Sequence, residues 1–137
     1  LHDDQNTIPM WFQEVISSYV STLNNCPYSY ANHWANARHL MADDEKAAKV
    51  EAALRAHSPR DAFEGAELAL LNYAEKLTLS PGKITKEDVD LLKSAGVEDG
   101  EILEANQIIG YFNYVNRLLN GLGVSTAGDV VGYYQSD

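Results

Sequence analysis

Asn25-Cys26-Pro27-Tyr28-Ser29-Tyr30-Ala31-Asn32-His33 stands where one helical pattern stops and another starts, and it contains the only cysteine of the chain. Asn24 and Asn25 suit a helix end. Cys26-Pro27 suits a beginning, because proline is tolerated in a first turn, where its missing N–H has no partner to lose. At about 100° per residue, Cys26, Ser29, Tyr30 and His33 then share one arc of the second helix, in line with Ala37 and Leu40. That arc is predicted to face the core.

Upstream, Ile8, Trp11, Phe12, Val15, Ile16, Tyr19, Val20 and Leu23 recur every three or four residues, which predicts an amphipathic helix with Thr7 and Pro9 at its start. Downstream, the second helix runs to about Met41. Asp43 or Asp44 caps a third, alanine-rich helix over Glu45 to His57. Ser58-Pro59-Arg60-Asp61 has the order of a cap, a first-turn proline and an acidic residue closing a capping box, and so starts a fourth helix carrying Phe63, Leu70, Tyr73 and Leu77. Thr85 with Asp88 boxes a short fifth helix that stops at Gly96, and a long last helix runs from Asp99 to about Asn120, finished by Gly121 and Gly123. No segment alternates convincingly as a strand, no repeat or low-complexity stretch occurs, and the tail after Val124 is left unassigned. The expected fold class is all-α, a bundle of about six helices with short connections.

The chain has 137 residues, 45% of them hydrophobic, enough for one domain over 1–137 with a sizeable core. Twenty acidic against ten basic residues give a net charge of −10, which repels a phosphate backbone, so nucleic acid is not an expected partner. One cysteine makes no internal disulfide, no export signal is visible, and no apolar run reaches the ~20 residues of a membrane span. A reducing cytoplasm is therefore the expected compartment. The chain opens at Leu1 rather than methionine, which fits a native N-terminal segment preceding it.

A thiol at a helix N-terminus sits where unpaired N–H groups and the positive dipole end favour the thiolate, the nucleophilic form. His33, one turn beyond Ser29 and two beyond Cys26, is placed to pass a proton to or from either, directly or through one water. The plainer reading is a small buried thiol and a hydrogen-bonded core histidine, and spacing alone favours it. Glu14, at the polar margin of the first helix beside Trp11 and Ser18, reads by default as a solvated carboxylate.

Glu14, Cys26 twelve residues on, then Ser29 and His33, with Leu23-Asn24-Asn25-Cys26-Pro27-Tyr28 around the thiol, resemble the glutamate, CxxC and histidine signature of the AhpD-like alkylhydroperoxidases of the carboxymuconolactone decarboxylase superfamily. Tyr111-Phe112-Asn113-Tyr114-Val115-Asn116-Arg117 through Gly121-Leu122-Gly123 is similar to the branch called peroxidase-related enzymes. The resemblance implies an AhpD-like helical bundle, a homo-oligomer, and reduction of hydrogen or organic peroxides by a cysteine pair reset by an external thiol reductant. It assigns Glu14 and His33 to a proton relay and Cys26 to the first, resolving cysteine. Ser29 stands where the second, peroxidatic cysteine belongs.

A serine hydroxyl is far less acidic than a thiol and forms no disulfide, so the two-cysteine cycle cannot run in this chain. Cys26 then acts alone through a sulfenic acid, or Ser29 leaves an impaired peroxidase, or the pocket performs redox-independent acid-base chemistry on a small organic acid or lactone, as in the decarboxylase branch. A non-catalytic oligomeric binding protein is the non-enzymatic alternative. Asn106, Asn113, Asn116 and Asn120 line one side of the last helix and are expected to meet another helix, a subunit or a polar pocket. Tyr28, Tyr30 and Trp34 flank the motif as core or as pocket walls. No histidine pair at ligand spacing, glycine-rich phosphate loop or nucleophile elbow supports a metal, a nucleotide cofactor or serine-hydrolase chemistry.

Overall fold

A computed structural model describes residues 8–124 of the chain. Six helices follow one another: α1 (Met10–Leu23), α2 (Pro27–Met41), α3 (Asp44–Arg55), α4 (Gly65–Leu79), α5 (Lys86–Ser94) and α6 (Asp99–Leu122). Short 3-10 turns occupy Pro59–Asp61 and Pro81–Lys83, and no strand occurs among the described residues. This is the all-α bundle that the periodicity predicts.

Helix α1 lies at its centre, against α2, α3, α4 and α6. Every residue from Phe12 to Ser21 is therefore buried, not one apolar stripe as amphipathic spacing suggests. The polar residues thus enclosed are answered locally. Gln13 Nε2 donates to Ile8 O at 2.7 Å, Ser17 to Gln13 O at 2.8 Å, and Ser18 to Glu14 O at 2.7 Å. Such back-bonds within a helix let small hydroxyls enter a core without stranded donors. Around α1 the apolar core gathers Ile16, Leu54, Leu71, Ile108 and Ile109, with Phe12 and Phe63 edge-to-face at 5.7 Å.

Four helices end in the same backbone device. Asn25, His57, Gly96 and Gly123 adopt positive φ, and the amides of each and of the following residue close back on the helix they terminate. Gly96 and Gly123 are legible as glycines; Asn25 and His57 accept the left-handed conformation without being glycine. His57 accordingly lies outside α3, which ends at Arg55.

The fourth helix starts later than its sequence suggests. Ser58 makes no capping bond, Pro59 to Asp61 form a separate turn, and the path between that turn and α4 is broken at Gly65, the first residue of α4, whose φ is 59°. Pro59 and Phe63 pack inward instead of facing outward on a first turn. The Thr85–Asp88 box forms as predicted, and a second one, Glu98 with Glu101, opens α6. No helix among the described residues is long and apolar enough to cross a membrane.

Candidate active site at the junction of α1 and α2

Cys26 belongs to both helices it joins. Its amide donates to Ser21 O at 2.9 Å, the outer bond of the turn that closes α1, and its carbonyl accepts from Tyr30 N at 3.0 Å, the first bond of α2. Asn25, at φ 51°, makes the reversal that allows both, and Pro27 takes the first position of α2 at no hydrogen-bond cost. The thiol is free, buried, and held at the N-cap of α2 by backbone bonds on either side.

One turn on, Ser29 is also buried, and its Oγ lies 2.8 Å from Ser21 Oγ. Ser21 Oγ is further placed to donate to Ser17 O at 2.8 Å and to accept from Asn116 Nδ2 at 3.2 Å. A hydroxyl has one proton. If Ser21 gives it to Ser17, Ser29 is the donor of the serine pair.

One further turn along α2, His33 Nδ1 meets Glu14 Oε2 at 2.6 Å. The Glu14 side chain is 3% exposed and that of His33 13%. The solvated carboxylate expected for Glu14 is corrected here: with α1 enclosed on all sides, its polar margin points at α2. With Glu14 ionised the contact places the proton on Nδ1, so His33 donates to the carboxylate, and Nε2 is the nitrogen left for proton exchange. Phe112 of α6 packs edge-on against the imidazole, centroids 4.5 Å apart, and so restricts its rotation. A charge-assisted bond between buried partners is short and directional, and it fixes the tautomer as well as the ring.

The four residues singled out in the sequence thus fall on facing sides of α1 and α2, with Cys26, Ser29 and His33 along α2. The asparagine row of the last helix does meet another helix, and what the sequence does not reveal is which partners it finds behind Ser29. Asn24 Nδ2 reaches Asn116 Oδ1 at 3.0 Å and Asn113 Oδ1 at 2.9 Å, Asn113 Nδ2 donates to Thr78 at 3.0 Å, and Asn120 Nδ2 donates to Asn24 O at 3.0 Å. The asparagine row of α6 therefore ties that helix to the junction of α1 and α2, apart from Asn106, which accepts from Tyr73 on α4. The spacing Glu14, Ser17 or Ser18, Ser21 is the signal for the α1 half: small and acidic polar residues one turn apart on a line facing α2.

Of the aromatic residues, Tyr30 and Trp34 stack nearly parallel, 6.3 Å apart, and Tyr30 donates to Glu51 of α3 at 3.0 Å beneath Arg55. They join α2 to α3. Burial first, then the Glu51 carboxylate, pushes the Tyr30 phenol well above its usual range, and burial with Glu75 does the same to Tyr19. Both therefore remain neutral hydrogen-bond donors at neutral pH. Among the described residues no three of His, Cys, Asp or Glu gather as a metal site would require.

Neither a family model nor a curated protein matches the sequence. A solved structure does: an uncharacterized peroxidase-related protein from Silicibacter sp. TM1040, 25% identical, superposing with a TM-score of 0.76 over 91% of this chain. The chain spans 62% of that protein's length. The fold is thus the six-helix AhpD-like bundle, and it is shared with a peroxidase-related protein.

Proposed function

We propose that this chain is a peroxidase-related oxidoreductase that reduces hydrogen or organic peroxides through Cys26, with His33 and Glu14 as its proton relay. The 2.6 Å contact between Glu14 and His33 carries the reading, because burying a carboxylate and an imidazole against each other costs solvation that a merely structural pair of apolar residues would not.

In the proposed cycle the Cys26 thiolate attacks one peroxide oxygen and the O–O bond breaks. The proton that leaves the Cys26 thiol when the thiolate forms is taken by His33 Nε2, directly or through one water, and is then given to the departing alkoxide or hydroxide, while Glu14 holds Nδ1–H and so keeps Nε2 free for both transfers. Cys26 is left as a sulfenic acid. An external thiol attacks its sulfur, water leaves, and a second external thiol releases Cys26 from the mixed disulfide. A reducing cytoplasm would supply such thiols. Ser29 takes no part in electron transfer, so turnover is slower than a cysteine pair would give. Burial of Cys26 weighs towards small peroxides over bulky ones.

The test is peroxide consumption with dithiothreitol as reductant. Wild type is expected to consume hydrogen peroxide and Cys26→Ala to lose the activity; equal rates in the two proteins would sink the reading. A second reading is acid-base catalysis on a small organic acid or lactone. It is favoured by the Glu14–His33 pair needing no thiol for its geometry. There, activity survives Cys26→Ala and disappears in His33→Ala.

A further inference from the structure

Helices α4 and α5 meet without closing on each other. Of its nine residues α5 buries only Leu92, and on α4 the cleft between them is lined by Gly65 and Ala69, one turn apart and too small to fill it. Its volume is about 430 Å³. That lies within the range of small-molecule sites, which begins near ~300 Å³. The cleft shares no residue with the junction of α1 and α2.

Its lining divides into an apolar and a polar part. Leu68, Ala69, Leu91 and Ala95 make aliphatic walls, and Leu91 stays 66% exposed. Tyr73 extends them, because its hydroxyl is spent on Asn106 of α6 at 3.0 Å. The polar part is Asn72, Lys76 and Asp88. Lys76 Nζ donates to Asp88 Oδ1 at 3.0 Å and to Oδ2 at 2.9 Å, and Oδ2 also accepts from the Thr85 amide and hydroxyl. An ammonium has three protons and a carboxylate oxygen two lone pairs, so the pair keeps one proton on Lys76 and one lone pair on Oδ1 for a further partner. Its charges cancel, and the Asn72 amide donates and accepts with no charge at all.

We propose that this cleft binds an uncharged amphipathic small molecule, an aliphatic or aryl body carrying one hydroxyl. The body lies against Leu68, Ala69 and Leu91, and the removal of that apolar surface from water drives binding. The hydroxyl accepts from Lys76 and donates to Asp88 Oδ1. A group that both gives and takes a hydrogen bond suits the pair as it stands. A carboxylate has no proton for Asp88, an ammonium has no lone pair for Lys76, and an anion also meets the field of a chain of net charge −10.

The test is titration of the isotope-labelled full chain with 1-octanol, followed through its amide resonances, beside Ala69→Trp, which fills the cleft, and Leu91→Ser, which strips one wall at an exposed position. Saturable shifts are expected at residues 65–76 and 88–95 and not at Cys26 or His33. Ala69→Trp loses them, and Leu91→Ser weakens binding several-fold. Octanoate is expected to bind at least about 10-fold more weakly than octanol, since its carboxylate faces that of Asp88. No saturable shift in wild type overturns the proposal, as do shifts that spread equally along the exposed leucines of α6, which mean general partition onto apolar surface. Octanoate binding as tightly as octanol overturns it too. Should Ala69→Trp fail to fold, Leu91→Ser decides: wild-type affinity in that variant places the ligand elsewhere. None of these outcomes depends on peroxide turnover.

Discussion

Glu14 shows how far a single residue escapes its sequence context. Its neighbours place it at a helix margin, and only the helix that lies opposite decides that this margin is interior. Removing its charge without its shape, in Glu14→Gln, keeps a partner for His33 but no longer fixes the donating tautomer. Turnover is expected to fall by about 10- to 100-fold, the usual cost of losing an orienting carboxylate. Rates of peroxide consumption against pH check this, and an unchanged profile would count against the relay. Ser29→Cys is the complementary change. If the junction of α1 and α2 has kept the geometry of a cysteine pair, oxidation yields an intramolecular disulfide between Cys26 and the introduced thiol, read by mass and thiol count, and peroxide turnover rises. The register of Ser29 and His33 on α2, with Cys26 at its N-cap, is legible in the sequence because Pro27 marks where that helix begins and helical spacing does the rest. Ser21 is not, because its importance lies in what α6 brings to it.

At the scale of elements, the amide network is the tie between α6 and the junction. Asn116 donates to Ser21 and accepts from Asn24, fully buried. Asn116→Leu removes two bonds of the network while Ser21 keeps Ser17 and Ser29 and Asn24 keeps Asn113, so the expected loss is about 1–3 kcal/mol, at roughly 1 kcal/mol per bond; urea unfolding measures it. The start of α5 gives a prediction in pH. Asp88 is held below its ordinary value of 3.8, first by the Lys76 ammonium and then by the amide of Thr85. A carboxyl depressed in the folded state contributes its stability in full above that ordinary value and loses it as pH falls below. Asp88→Asn should therefore flatten the acid limb of thermal stability below about pH 4. Capping boxes and glycine stops can be read from sequence because their causes are local. The beginning of α4 cannot, because Ser58-Pro59-Arg60-Asp61 satisfies the local rule, while Pro59 and Phe63 are drawn into the core and Gly65 takes the backbone elsewhere.

For the whole molecule, the decisive fact is a central helix packed against four others, with α5 joined to it only through α4 and α6. A period of three to four residues announces that a segment is helical, but not how many of its sides will be covered; that depends on contacts between residues far apart in sequence. The core around α1 is correspondingly intolerant. Ile109→Ala should cost about 2–5 kcal/mol through lost burial and a residual cavity, measured by chemical denaturation. The net charge of −10 works against compaction everywhere, so raising ionic strength from about 0.01 to 0.15 M should raise the melting temperature as the Debye length contracts from roughly 30 to 8 Å. The corner at Cys26 links this scale back to the smallest. Because its amide is bonded to Ser21 O, that proton exchanges with solvent only when the turn between α1 and α2 opens. Hydrogen exchange at one backbone position therefore clocks how often the thiol is laid bare, and the rate of that opening sets the ceiling on alkylation of Cys26 by any reagent too large to enter the closed structure.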